Sequence, residues 1–287
     1  MKKRNRSIID MQFITAGIST TMVLFLLGLV VFFVLTANNL SVYIKENIAF
    51  STILDDQMKE TSIIKLQEKI NKKKYVKSTV YISKEQALEE QVKALGTDPS
   101  EFLGHNPFNA SIEIRLNAGY THPDSIKWIE ADLMQNKSII EMNYPQSLLE
   151  SLNNNLKKIS AFLLGLAGLL SLISFSLINN TIRLTIYSKR FLIHTMKLVG
   201  ASWSFIRKPF ITRNLWIGLL SGIAAGSILT SGAYMAVRYE PELLAVISLE
   251  TVLIVIASVI LFGIMITTLC AYFSINKYLR MKISELY

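Results

Sequence analysis

The chain has one cysteine and three histidines in 287 residues. With a single thiol, Cys270, there is no internal disulfide framework and no cysteine metal site. His105 and His122 stand in a segment with no Cys or paired carboxylates at ligand spacing, and no acid, base and nucleophile constellation is evident there, which argues against a metal centre or an enzyme. No G-x-x-x-x-G-K-[ST] sequence occurs, so any ATP must be hydrolysed by a partner. The most telling absence is of charge. Asp, Glu, Lys, Arg and His are missing from Met11–Ile44 (apolar heart Phe13–Ala37), Ile159–Ile182, Asn214–Val237 and Thr251–Asn276.

What fills those runs is apolar, in a chain that is 51% hydrophobic. A charge at the bilayer centre costs about 2.5 to 3.5 kcal/mol, and a spanning helix needs about 20 apolar residues. Each run meets both conditions, so we expect four transmembrane helices at 13–37, 159–182, 214–237 and 251–276. The first run is too long for the apolar core of a signal peptide and is expected to be retained. With no charge in any span, a proton relay, ion pathway or polar channel is not expected.

Charge outside the spans sets orientation. Segments 1–12, 183–213 and 277–287 together hold fourteen Lys or Arg against two acidic residues, which places them and both termini in the cytoplasm by the positive-inside rule. The segments 38–158 and 238–250 then lie outside. Segment 38–158 balances about 15 basic against about 16 acidic residues, so the net charge of +9 reflects topology and not nucleic-acid binding.

The roughly 120 outer residues are enough for one small domain. Period-two apolar patterns occupy Ile48–Leu54, Tyr75–Ile82, Ala110–Leu116 and Ile139–Tyr144. Helical spacing lies between them, at Ile63 to Ile70, Ala87 to Leu95 and Ile126 to Met134. Ser83 with Gln86 forms a capping box, and Pro123-Asp124 opens the third helix. Two βαβ halves with an insertion predict an α+β ferredoxin-like domain, the insertion being Lys84–Leu95 plus the turn-rich Gly96–Asn109. In that insertion Phe102, Pro107 and Phe108 either form a lobe for an outer partner or close over the domain's own core.

The segment after the second span suits docking. Leu184–Val199 is expected to continue the span as a helix that Gly200 ends with a left-handed cap, Ser202 then capping a short helix through Arg207 and Pro209 ending it. Its aromatics, Trp203 and Phe205, suit either a groove on a partner or lipid headgroups. Within the third span Gly218, Gly222 and Gly226 recur every fourth residue, the spacing of a close helix contact within the chain or between copies.

Asn180-Thr181-Ile182-Arg183-Leu184, Arg190, Met196-Lys197-Leu198-Val199-Gly200-Ala201 and Phe205-Ile206-Arg207 with Pro209-Phe210 closely resemble the signature of the FtsX family, the cell-division members of the ABC-permease-like proteins. Asn106-Pro107, Lys277-Tyr278-Leu279-Arg280 and Glu285-Leu286-Tyr287 also look like that family. The chain departs from the family pattern at Phe191-Leu192 and Arg213-Asn214, where an acidic residue is usual. The resemblance implies a non-transporting subunit without a cofactor of its own. Its partners would be a cytoplasmic FtsE-like ATPase, docked through Arg190, Met196, Lys197, Leu198, Gly200, Trp203, Phe205 and Arg207, and a cell-wall hydrolase or its adaptor outside. It further implies a homodimer in lipid at the bacterial inner membrane, at the division site. A lipid, lipoprotein or small-molecule exporter of the same superfamily is the rival reading.

Overall fold

In the computed structural model residues 4–280 are described. Lys2 and Lys3, and Lys282 with Glu285-Leu286-Tyr287, lie outside the described residues. Contacts divide the chain into a helical unit, made by the described residues up to Ala37 and from Ile159 on, and a mixed unit, Asn38–Lys158.

The mixed unit runs β1 (Ala49–Leu54), α2 (Glu60–Asn71), β2 (Val76–Ile82), α3 (Lys84–Leu95), α4 (Pro99–Leu103), β3 (Ser111–Leu116), a 3₁₀ turn (Ala118–Tyr120), α5 (Pro123–Met134) and β4 (Ile139–Asn143). The sheet order is β2-β3-β1-β4, with β3 antiparallel to both β1 and β2 and with β4 antiparallel to β1. β1 and β2 are therefore parallel with β3 between them, and α2 makes the crossover. β3, α5 and β4 repeat the arrangement around β1. This is the split βαβ of a ferredoxin-like fold.

The alternation that gives β1 its shape buries Phe50, Thr52 and Leu54 on one face, where they meet Ile112, Ile114 and Leu116 of β3. Ile63, Leu66 and Ile70 of α2 and Ile126, Ile129 and Leu133 of α5 cover them. Each large apolar side chain so buried contributes about 1.5 to 3 kcal/mol. Ser83 and Gln86 make both bonds of the capping box at α3.

The helical unit contains α1 (Arg4–Asn47), α6 (Gln146–Ser188), α7 (Arg190–Leu198), α8 (Trp203–Tyr239) and α9 (Leu249–Arg280), with a 3₁₀ turn at Pro241–Ala245. Four of these, α1, α6, α8 and α9, are long and apolar enough to cross a membrane. α8 and α9 approach most closely at glycine. A Cβ on Gly218 would stand 2.5 Å from the Gly263 carbonyl oxygen, and one on Gly222 2.9 Å from the Ile260 Cα. At Gly226 the nearest neighbour, Ile256 Cγ2, would be 3.5 Å away, an ordinary contact. α1 joins this pair through Val23, Leu24 and Leu27 against Leu229, Val255 and Val259, and the Ser221 hydroxyl donates to the Gly17 carbonyl at 3.0 Å. α6 meets the others through Ile178, Ile182 and Ile186, which pack with Ile206, Phe210, Cys270 and Ile275.

Candidate functional site

The segment joining α6 to α8 differs from its expected form in two places. α6 does not run on to Val199: it ends at Ser188, and Lys189, at φ −103° and ψ 12°, starts the separate short helix α7. The Lys189 N–H is shared between the Thr185 and Ile186 carbonyls, a tightened last turn. Nor does Pro209 end a short helix at Arg207. α8 runs unbroken from Trp203 through Pro209 to Tyr239. A proline inside a helix costs about 3 kcal/mol. Here Ile206, three residues before it, and Phe210, next to it, are both buried in the cluster with α6 and α9, a gain of about 1.5 to 3 kcal/mol each that requires the helix to continue.

The corner between α7 and α8 is built from local signals. Gly200, at φ +82°, occupies the left-handed position after α7, where a Cβ is strained. Its N–H bonds to the Lys197 carbonyl and the Ala201 N–H to the Met196 carbonyl, the paired bonds of a Schellman cap. Two residues later the Ser202 hydroxyl accepts from the Phe205 N–H and starts α8.

α7 anchors to the bundle by one face. Ile193 is buried in the cluster and Met196 packs against it. The other face is apolar yet exposed, with Phe191 and Leu192 more than half open, Leu198 74% and Val199 82% exposed. Trp203 and Phe205, on the first turn of α8, extend the surface. Basic groups lie over its aromatics. The Arg190 guanidinium is 4.4 Å from the Tyr187 ring centre and 5.0 Å from that of Phe191, and the Lys197 ammonium is 5.1 Å from Trp203. Lys189 sits inward, 5.6 Å from the Phe210 ring centre; burial, then repulsion from Arg213, pulls its ammonium below the usual lysine range.

The eight residues expected at a docking surface therefore divide. Leu198, Trp203 and Phe205 are exposed, and Arg190 and Lys197 stack on neighbouring aromatic rings. Met196 and Gly200 hold the corner together. Arg207 turns away: its guanidinium donates to Asn276 Oδ1 of α9 at 2.7 Å and to the Trp203 carbonyl. Phe191, Leu192 and Val199, which are not among the eight, are exposed as well, and the departure from the resembled pattern at Phe191-Leu192 was the available signal.

In the mixed unit the insertion splits its aromatics. Phe102 on α4 is 83% exposed. Pro107 and Phe108 instead line a hollow on the open face of the sheet with Ser51, Ile53 and Glu113. Asn106 fixes this loop, donating to the Lys84 carbonyl at 2.8 Å while its Oδ1 accepts from the Phe108 N–H at 2.9 Å. Among the described residues no group of three or more His, Cys, Asp or Glu is placed to hold a metal ion.

Comparison with known proteins agrees with this division. Residues 38–156 match the FtsX extracellular domain family and residues 164–283 the FtsX-like permease C-terminal family. A cell division protein FtsX of Flavobacterium johnsoniae is 33% identical over 286 residues, covering 100% of this chain and 98% of that protein. The FtsX proteins of Streptococcus pneumoniae serotype 2 (34% identity, 56% of this chain, 51% of that one) and Bacillus subtilis (26%, 71% and 69%) are also similar. Among solved structures, extracellular domain 1 of S. pneumoniae FtsX in complex with undecyl-maltoside aligns with 34% of this chain and 93% of that one, at 19% identity and a TM-score of 0.29. The chain belongs to the FtsX family of bacterial cell-division, permease-like membrane proteins.

Proposed function

We propose that the chain couples ATP use by a cytoplasmic FtsE-type ATPase to a conformational change of its outer domain, which regulates a cell-wall hydrolase or that enzyme's adaptor. The observation that carries this reading is the exposed apolar face of α7 and the first turn of α8. Its opposite face is fixed to three membrane-spanning helices through Ile193, Ile206 and Phe210. Large apolar side chains held outward on a rigid base suit the groove of a protein partner. The chain carries no phosphate-binding loop, so the ATPase is a separate protein. Segments 1–12, 183–213 and 277–287 lie in the cytoplasm, and 38–158 and 238–250 outside. Two copies act together, one per docking groove of an ATPase dimer. Displacement of α7 moves the packed helices as rigid bodies, and α1 and α6 carry the chain onward into the outer domain. Phe102 faces the outer partner, with Pro107 and Phe108 shaping the hollow beside it.

Copurification of the detergent-solubilised chain with the FtsE-type ATPase of the same organism tests the reading. The wild type is expected to capture the ATPase, and Trp203→Ala plus Phe205→Ala to lose it with helix content unchanged. No capture by the wild type contradicts the coupling and makes the surface a lipid-facing anchor.

A further inference from the structure

The helical face of the outer domain holds a second concave site, remote in the fold from the insertion lobe and independent of ATPase docking. Between the C-terminal ends of α2 and α5 lies a groove of about 440 Å³, floored by the core residues Ile70 and Leu133. That volume lies in the range of small-ligand sites. Its walls are polar: Lys69, Lys73, Asp132, Gln135, Asn136 and Lys137. Asp132 is already engaged, accepting from Lys73 and, at 2.7 Å, from the Tyr75 hydroxyl. Two helix C-termini add the equivalent of about half a negative charge each. Three ammonium groups outweigh Asp132 and both helix ends together, and the exposed Lys72 and Lys74 extend the excess.

Through its bond to Asp132, Tyr75 ties the groove's edge to an aromatic cluster. Tyr75 stands edge to face with Trp128, ring centres 5.5 Å apart at 85°, and Tyr120 stands against both at 6.4 and 6.2 Å. The Trp128 indole is held by two rings yet 47% exposed. Trp128 and Asp132 are one turn apart on α5, and Tyr75 touches both. A fixed aromatic face beside a dense set of donors and acceptors matches a pyranose ring, whose C–H face packs on the π-cloud while its hydroxyls reach the polar rim. A folded protein partner favours a contiguous apolar patch, which these walls do not offer.

We propose that this groove binds an acidic saccharide, with one sugar ring on Trp128 and its carboxylate or phosphate held by Lys69 and Lys137. The test uses the full chain in a detergent without a sugar headgroup, with saturation-transfer NMR as the readout. The probes are the disaccharide of N-acetylglucosamine and N-acetylmuramic acid, chitobiose, which lacks the lactyl carboxylate, and free lactate, which lacks the ring. The acidic disaccharide is expected to bind roughly tenfold more tightly than either of the others. Trp128→Ala should remove binding and Trp128→Phe retain most of it, while Lys69→Gln plus Lys137→Gln should lower the acidic disaccharide to the level of chitobiose. Equal binding of chitobiose, equal binding of lactate, no binding of the acidic disaccharide at millimolar concentration, or insensitivity to both sets of variants each overturns the proposal.

Discussion

Alanine at Gly218 and at Gly226 should have opposite effects, although the two glycines belong to one sequence stripe. At Gly218 the new methyl would stand 2.5 Å from the Gly263 carbonyl oxygen and closer still to Thr267 Oγ1. Thr267 can rotate, but the carbonyl belongs to the backbone of α9. Reaching ordinary contact therefore requires α8 and α9 to separate by about 1 Å, which loosens the neighbouring pairs as well. Overpacking of this kind costs about 1 to 3 kcal/mol. At Gly226 the methyl meets Ile256 Cγ2 at 3.5 Å and nothing shifts. Both substitutions gain the same helix propensity, about 1 kcal/mol. That term cancels in the comparison, leaving Gly218→Ala about 1 to 3 kcal/mol below Gly226→Ala, or roughly 5- to 150-fold in the unfolding equilibrium. Unfolding of the detergent-solubilised full chain, followed by circular dichroism, reads the difference. The order Gly226→Ala at or above wild type and Gly218→Ala below it is expected. Equal stability of the two variants would refute the close approach of α8 to α9.

Three further outcomes follow from the geometry. Hydrogen bonds from Lys73 and Tyr75 hold the Asp132 carboxyl below its usual range, so its stabilisation is present above about pH 4 and lost as pH falls through the lower folded value. Asp132→Asn should therefore lower the melting temperature at pH 7 and converge with wild type in strong acid; a constant gap across that range contradicts the assignment. Gly200→Ala should cost about 1 to 2 kcal/mol locally, because φ is +82° there. It should raise protease cleavage between α7 and α8 without changing the melting of the mixed unit. Ser202→Ala should cost about 1 kcal/mol through loss of the cap at the start of α8, read as faster hydrogen exchange at Phe205.

The ferredoxin-like topology was legible because β1, β3, α2 and α5 each bury one face, so period two and period 3.6 survive in the sequence. The turn at Gly200 and the caps at Ser83 and Ser202 were legible because each is a local bond between near neighbours. The break at Lys189 was not, since no glycine or proline marks it and a shared N–H leaves no compositional trace. Pro209 misled for a related reason: its local preference is overridden by Ile206 and Phe210, whose burial depends on α6 and α9. The glycine stripe showed which face of α8 comes close to another helix. That Gly218 meets Gly263 of the same chain depends on tertiary pairing. α4 escaped notice because its five residues carry no period, although Asp98 capping Ser100 ahead of Pro99 marks its start.

The measurement that bears most directly on the proposed coupling is site-specific photo-crosslinking in cells. Benzoylphenylalanine would replace Phe191 or Leu198 on the exposed face of α7, with Leu253 on α9, which is also exposed, as the control. Adducts with the FtsE-type ATPase from the first two positions and none from Leu253 are the predicted result. Adducts with lipid alone at Phe191 and Leu198 would contradict the account.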